Sequence, residues 1–279
     1  MQNLTKGRCV SRVQTQEGAA LLGRFLSEQI SSFIEIESEI GKSPMPRVER
    51  LHTLFASIIE DAISIKLLGD ASRLNQAYVL SRALLERITN FCFLQLCTDG
   101  EFRDYVDYSL NKAGRRVDRS IEVDGQVRVR VALKDGSFEL PPEVQAAVAK
   151  FTSERGREKT RWTNVSLQER AGVIEAKLPN SGLFVSLLTI YADASEALHG
   201  TLYGAAFHLG VYDYGAVPYD QASLDSHRYS TLSFLYLMAG GAMDTLLALL
   251  SLIGEPNAPD VAKASRIRFK QVAVDCELV

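Results

Sequence analysis

The chain has a single tryptophan and four cysteines, and no two of the cysteines form a Cys-x-x-Cys pair. That spacing argues against a structural zinc site. Cys92 and Cys97 fall in an apolar helical stretch and read as buried free thiols. The first residues, MQNLTKGRCVSRVQTQEG, contain no apolar signal core, so the expected location is cytoplasmic. Neither sign of charge dominates. The net charge is −3 and the pI about 5.9, which does not call for nucleic acid, although a balanced total can hide a basic patch. There is no Gly-rich phosphate loop, no His-Glu-x-x-His and no Gly-x-Ser-x-Gly elbow. No cofactor and no metal site are expected. Internal repeats and low-complexity tracts are absent as well.

What is present is apolar periodicity. With 46% apolar and 23% charged residues, 279 residues can bury a sizeable core. Leu21, Leu22, Phe25, Ile30, Phe33 and Ile36 track one face of a helix over residues 14–41. Further helices are expected over 48–68, 72–98, 101–119, 142–151 and 183–210, with a short one from Leu167. Another is expected over 220–253, and a last one in a C-terminal helical tail at 255–279. Thr231 to Gly254 is long enough to span a bilayer, but Asp244 sits near its middle. It reads as the buried helix of a bundle, with no membrane partner.

Residues 120–140 break this period. SIEVDGQVRVRVALKDGSFEL alternates apolar and polar residues and contains Asp124-Gly125 and Asp135-Gly136, a hairpin signal. The expected fold is mainly α: one multi-helix bundle over 1–279 with a small β-hairpin insertion.

Two apolar stretches carry polar rows. Arg82, Glu86 and Asn90 stand four residues apart, as do Tyr191, Ser195 and His199. Neither row can face solvent without exposing its apolar flanks, so the two helices are expected to pack and share a polar seam. In a functional seam Arg82 stabilises phosphate charge and His199 moves a proton, while Glu86, Asn90, Tyr191 and Ser195 orient them. In a structural one the same groups only satisfy one another. Gly200 and Gly204 promise close backbone approach. Gly240-Gly241 promises close helix packing, with Asp244 a candidate partner for Arg82. The spacing of His52, His208 and His227 offers no metal pattern.

Arg82-x-Leu84-Leu85-Glu86 with Asn90, then Trp162 and Ser166 to Arg170, then Tyr191-x3-Ser195-x3-His199-Gly200, resembles a bacterial helical domain-of-unknown-function family over about residues 48–210. At greater distance the arrangement resembles the HEPN superfamily. These are helical bundles, many of them metal-independent RNases of toxin–antitoxin and phage-defence systems. That resemblance implies an RNase or nucleotide-binding effector whose motif is an arginine followed a few residues later by histidine. Arg47 and His52 have that spacing, beside Pro44 and Pro46, whereas His199 has no arginine at that distance before it.

The basic residues give the last expectation. Arg128 and Arg130 on the hairpin, and Arg155, Arg157 and Arg161 beside Trp162, are candidate RNA-binding residues: arginines for phosphates, the indole for a base. The expected partners are RNA or a nucleotide, a partner protein such as an antitoxin, and further copies of the chain. The rival reading is a non-catalytic interaction or oligomerisation module with a structural seam.

Overall fold

The computed structural model describes residues 11–116, 118–132, 139–209 and 221–278. Cys9, the Asp135-Gly136 turn and the loop expected at 212–218 lie outside them. The protein is mainly helical with one two-stranded antiparallel hairpin, and it divides into two compact units. One unit takes the chain up to Gln95 and again from Leu167. The other runs from Leu96 to Ser166.

In the larger unit, α1 (Gln16–Ile40) begins where the Thr15 hydroxyl accepts from the Gly18 amide at 3.1 Å, an N-cap. The helix expected over 48–68 is instead two. A five-residue α2 (Pro46–Arg50) ends at Leu51, whose backbone leaves the helical region, and α3 (His52–Asp70) follows. Next comes α4 (Leu74–Leu96). The stacked rings of Phe33 and Phe55, 4.9 Å apart, tie α1 to α3, and Phe91 of α4 leans on Phe55 at 5.9 Å.

The chain re-enters this unit through α7 (Leu167–Lys177). The single helix expected over 183–210 is broken into pieces. These are α8 (Leu183–Ser186), a π turn (Leu187–Tyr191), α9 (Ala192–His199), α10 (Leu202–Ala206) and a 3-10 turn (Phe207–Leu209). Gly200 does not receive a neighbouring backbone. Its φ of +68° ends α9, and the Thr201 hydroxyl caps α10 by accepting from the Gly204 amide at 3.0 Å. Gly204 does lie against backbone. A Cβ there would stand 2.1 Å from the Glu196 carbonyl.

The apolar α11 (Gln221–Leu252) is continuous and mostly buried, against α1 and α12 (Pro259–Asp275). Asp244 does not reach Arg82. It accepts from Ser265 of α12 at 2.7 Å and pairs with Arg266 at 3.2 Å. Ser265 in turn accepts from Gln29 of α1 at 2.7 Å. The aspartate thus joins α11 to α12, which pack against each other.

Burial pushes the Asp244 carboxyl above its ordinary value of 3.8, against Ser265 and the arginines. A raised folded pKa gives stability that is full below the unfolded value and is lost as pH rises through the folded one. The wild type should therefore gain stability relative to Asp244→Asn as pH falls from neutral towards 4. Melting temperatures of both proteins over that range check this, and a constant difference would refute it.

The smaller unit holds α5 (Asp99–Arg116), β1 (Asp118–Val123), β2 (Gln126–Ala132) and α6 (Pro142–Lys150). Asp124 and Gly125, both at positive φ, make the tight turn. Ile121 pairs with Val129 and Arg119 with Val131, so Val129 and Val131 share one face of the ribbon and Arg130 takes the other; the register then shifts by a bulge, and Val127, paired with position 122, falls on the face opposite Val129. All three valines stay more than half exposed.

Candidate functional site

The polar seam exists, and its centre is the carboxylate of Glu86. Arg82, one turn before it, brings Nε to 3.4 Å from Oε1. The Tyr191 hydroxyl donates to the same oxygen at 2.6 Å. The Arg82 guanidinium lies 4.9 Å from the centre of the Tyr191 ring, a cation–π contact. Burial, then the bond to Glu86, pushes the Tyr191 phenol above its ordinary range, with Arg82 acting the other way. The phenol therefore stays protonated at neutral pH and keeps its hydrogen bond to Glu86.

A further arginine enters from α7. Arg170 donates to the side-chain oxygen of Asn90. Burial lowers its pKa, while the charges of Glu86 and Tyr191 oppose the shift. Glu86 thus pairs with Arg82 and lies near enough for its charge to act on Arg170. The accounting is incomplete at one atom: Nη1 of Arg82 is buried and has no hydrogen-bond partner among the described residues. A buried charged donor of this kind favours a hydrogen-bond acceptor beside it.

Ser195 and His199 do not join this cluster. The Ser195 hydroxyl donates to the Tyr191 carbonyl at 2.7 Å, and His199 is exposed in the last turn of α9. No hydrogen bond among the described residues links either of them to Arg82 or Glu86. The reason is helical geometry: a four-residue step overshoots a full turn by about 40°, so the row drifts about 80° from its first member to its third. Tyr191 reaches the seam while His199 has turned away.

The Arg47–His52 pair is likewise dispersed. His52 Nε2 lies 2.5 Å from Glu37, and Arg47 donates to the Leu94 carbonyl at 3.0 Å. Both contacts tie helices together.

Arg170 was not singled out by spacing, because its partners lie on other helices. The signal available was its place at the end of the Ser166–Arg170 run.

In the smaller unit the cations fall into two groups. Lys112 is paired with Glu158 at 2.6 Å, and Lys150 with Asp104 and Asp107 at 2.6 Å each. Arg115 lies 3.9 Å from Glu158 and donates to the Thr152 hydroxyl at 2.6 Å. Burial would raise the Glu158 carboxyl, but Lys112 and Arg115 outweigh it and hold the group below its ordinary range. Arg128, Arg130, Arg155, Arg157 and Arg161 are all exposed. Trp162 is half-buried, edge-on to Tyr105 at 5.3 Å. With Lys159 and Arg161 it lines a cavity of about 240 Å³, but Glu101 and Asp104 line it too. The seam belongs to the larger unit and the basic segments to the smaller. Among the described residues no group of three His, Cys, Asp or Glu side chains is placed to hold a metal ion.

A family model described as a family of unknown function, DUF5677, matches residues 49–216, a stretch that contains both polar rows. No curated protein and no solved structure matches the chain.

Proposed function

The chain belongs to the DUF5677 family, and we propose that it is a HEPN-like helical effector that binds RNA or a nucleotide, with Arg82 and Arg170 as the clamp for a phosphate. The observation that carries this reading is the buried, unpartnered Nη1 of Arg82 beside a second arginine. Guanidinium groups match phosphate oxygens in geometry and charge, and Arg82 and Arg170 both bring one to the seam. The exposed arginines of the smaller unit supply cations for a longer RNA backbone.

Metal-independent RNA cleavage is the finer form of the proposal. The seam offers two guanidiniums for the charge that develops on the phosphate, a phenol to donate a proton and the Glu86 carboxylate to accept one. A non-catalytic module is the second reading. It is favoured by the bonds that Glu86 and Ser195 already make within the protein.

Labelled single-stranded RNA and a nucleoside triphosphate, titrated at two salt concentrations, separate these readings. Arg82→Ala should weaken binding of either ligand by about 10-fold or more, the usual scale of a lost charge-assisted bond. RNA affinity should fall by about one power of salt concentration per phosphate contacted. Arg155→Glu with Arg157→Glu should weaken RNA binding and leave the nucleotide unaffected. Absence of binding at low salt, or binding indifferent to Arg82→Ala in a protein with unchanged melting temperature, would leave the interaction module. If RNA is cut, Glu86→Gln should abolish cutting. Cutting that survives Glu86→Gln and is lost in His199→Ala would return the proton transfer to the histidine.

A further inference from the structure

The larger unit holds a cavity of about 290 Å³ that none of the seam's charged side chains lines. Three aromatic rings form one wall. Tyr78 meets Phe207 edge-on at 4.8 Å, and Tyr203 lies nearly parallel to Phe207 at 6.0 Å. Phe234 of α11, substantially exposed, adds a fourth ring.

The polar groups converge on the same space. Asp193 accepts from the Tyr203 hydroxyl through Oδ1 at 2.8 Å. Burial, and after it Asp193, pushes the Tyr203 phenol up to about 12, so it stays a donor. That bond uses one oxygen, and no hydrogen bond among the described residues occupies Oδ2. His227 Nε2 stands 3.1 Å from the Phe207 carbonyl. A carbonyl only accepts, so that nitrogen carries the proton, and in the neutral ring Nδ1 is an acceptor. No lysine or arginine lines the cavity.

We infer that this cavity is a binding site for a small organic monocation, a protonated amine or amidine on an aromatic or aliphatic body. A carboxylate with one free oxygen, four aromatic rings and no competing side-chain cation attract positive charge by an ion pair and by cation–π contact. The same lining repels an anion. The volume is about ten times one water's share of the liquid, room for a ligand of about ten non-hydrogen atoms. The site's charge preference is opposite to that proposed for the seam, so a phosphate ligand and an amine report on the two separately.

The test is a series of probes of one shape and different charge, read by calorimetry and by thermal shift on the full chain. Benzylamine and benzamidine should bind and raise the melting temperature. Benzyl alcohol should bind more weakly, and benzoate not at all. Asp193→Asn should weaken benzylamine by about 10-fold or more and leave benzyl alcohol unchanged. Should that variant fold poorly, the order of the probes on the wild type decides alone. Equal binding of benzoate and benzylamine, benzylamine affinity indifferent to Asp193→Asn, or no amine binding at millimolar concentration would each overturn the assignment.

Discussion

Phe55→Ala is expected to lower the unfolding free energy of the larger unit by about 4 kcal/mol, within the range for a fully buried phenylalanine. Phe55 has no exposed surface, and its ring is held between Phe33 of α1 and Phe91 of α4. Truncation removes the transfer free energy of the ring and leaves a void that three long helices cannot close without moving together. The two aromatic contacts are lost as well. Urea unfolding followed by far-ultraviolet circular dichroism measures the change. A loss below about 1 kcal/mol would mean that the site collapses around the missing ring, and that the aromatic trio does not organise the core.

Gly240→Ala is expected to cost about 2 kcal/mol, although alanine is the better helix former by about 1 kcal/mol. A Cβ at position 240 would stand 2.3 Å from a ring carbon of Phe25, a distance that atoms do not tolerate. The ring has little room to retreat. Phe25 is buried and stands edge-on to Phe269 of α12 at 5.8 Å. Relief must come from separating α1 from α11, and overpacking of that kind costs about 1–3 kcal/mol or more before the propensity gain is subtracted. The measurement is a double-mutant cycle with Phe25→Leu, which makes room for the methyl group. A coupling of about 1 kcal/mol or more supports the clash, and strict additivity excludes it.

Much of this fold was legible in the sequence, because amphipathic helices and Asp-Gly hairpins are written locally. The period of α1, the extent of α4 to within two residues at each end and the turn at Asp124-Gly125 followed from apolar spacing and the Gly-Asp and Asp-Gly breaks. The interruptions were less legible. Leu51 bends the chain without a proline or glycine, and the π turn at Leu187–Tyr191 sits in an ordinary apolar run. Both depend on what packs around them.

The candidate site divides in the same way. Arg82, Glu86 and Tyr191 were placed correctly in one seam, because a polar group in an apolar helix must find a partner. Asn90 joins them through Arg170, whose contacts cross between helices far apart in sequence. Asp244 was assigned the wrong arginine for a related reason. A buried carboxylate announces that it needs partners, and only the packing of α12 on α11 says which. His199 lies outside the seam because a row read at four-residue spacing is a spiral, and its last member had already turned away.

Trp162 gives the two-unit architecture an optical consequence. It is the only indole in the chain, and it stands in the smaller unit against Tyr105. Its fluorescence therefore reports on the indole's place in the smaller unit, while the circular dichroism of the backbone is carried mostly by the long helices of the larger one. A single denaturation series contains two separable signals. Coincident curves describe one cooperative molecule, and displaced curves describe two that share a chain.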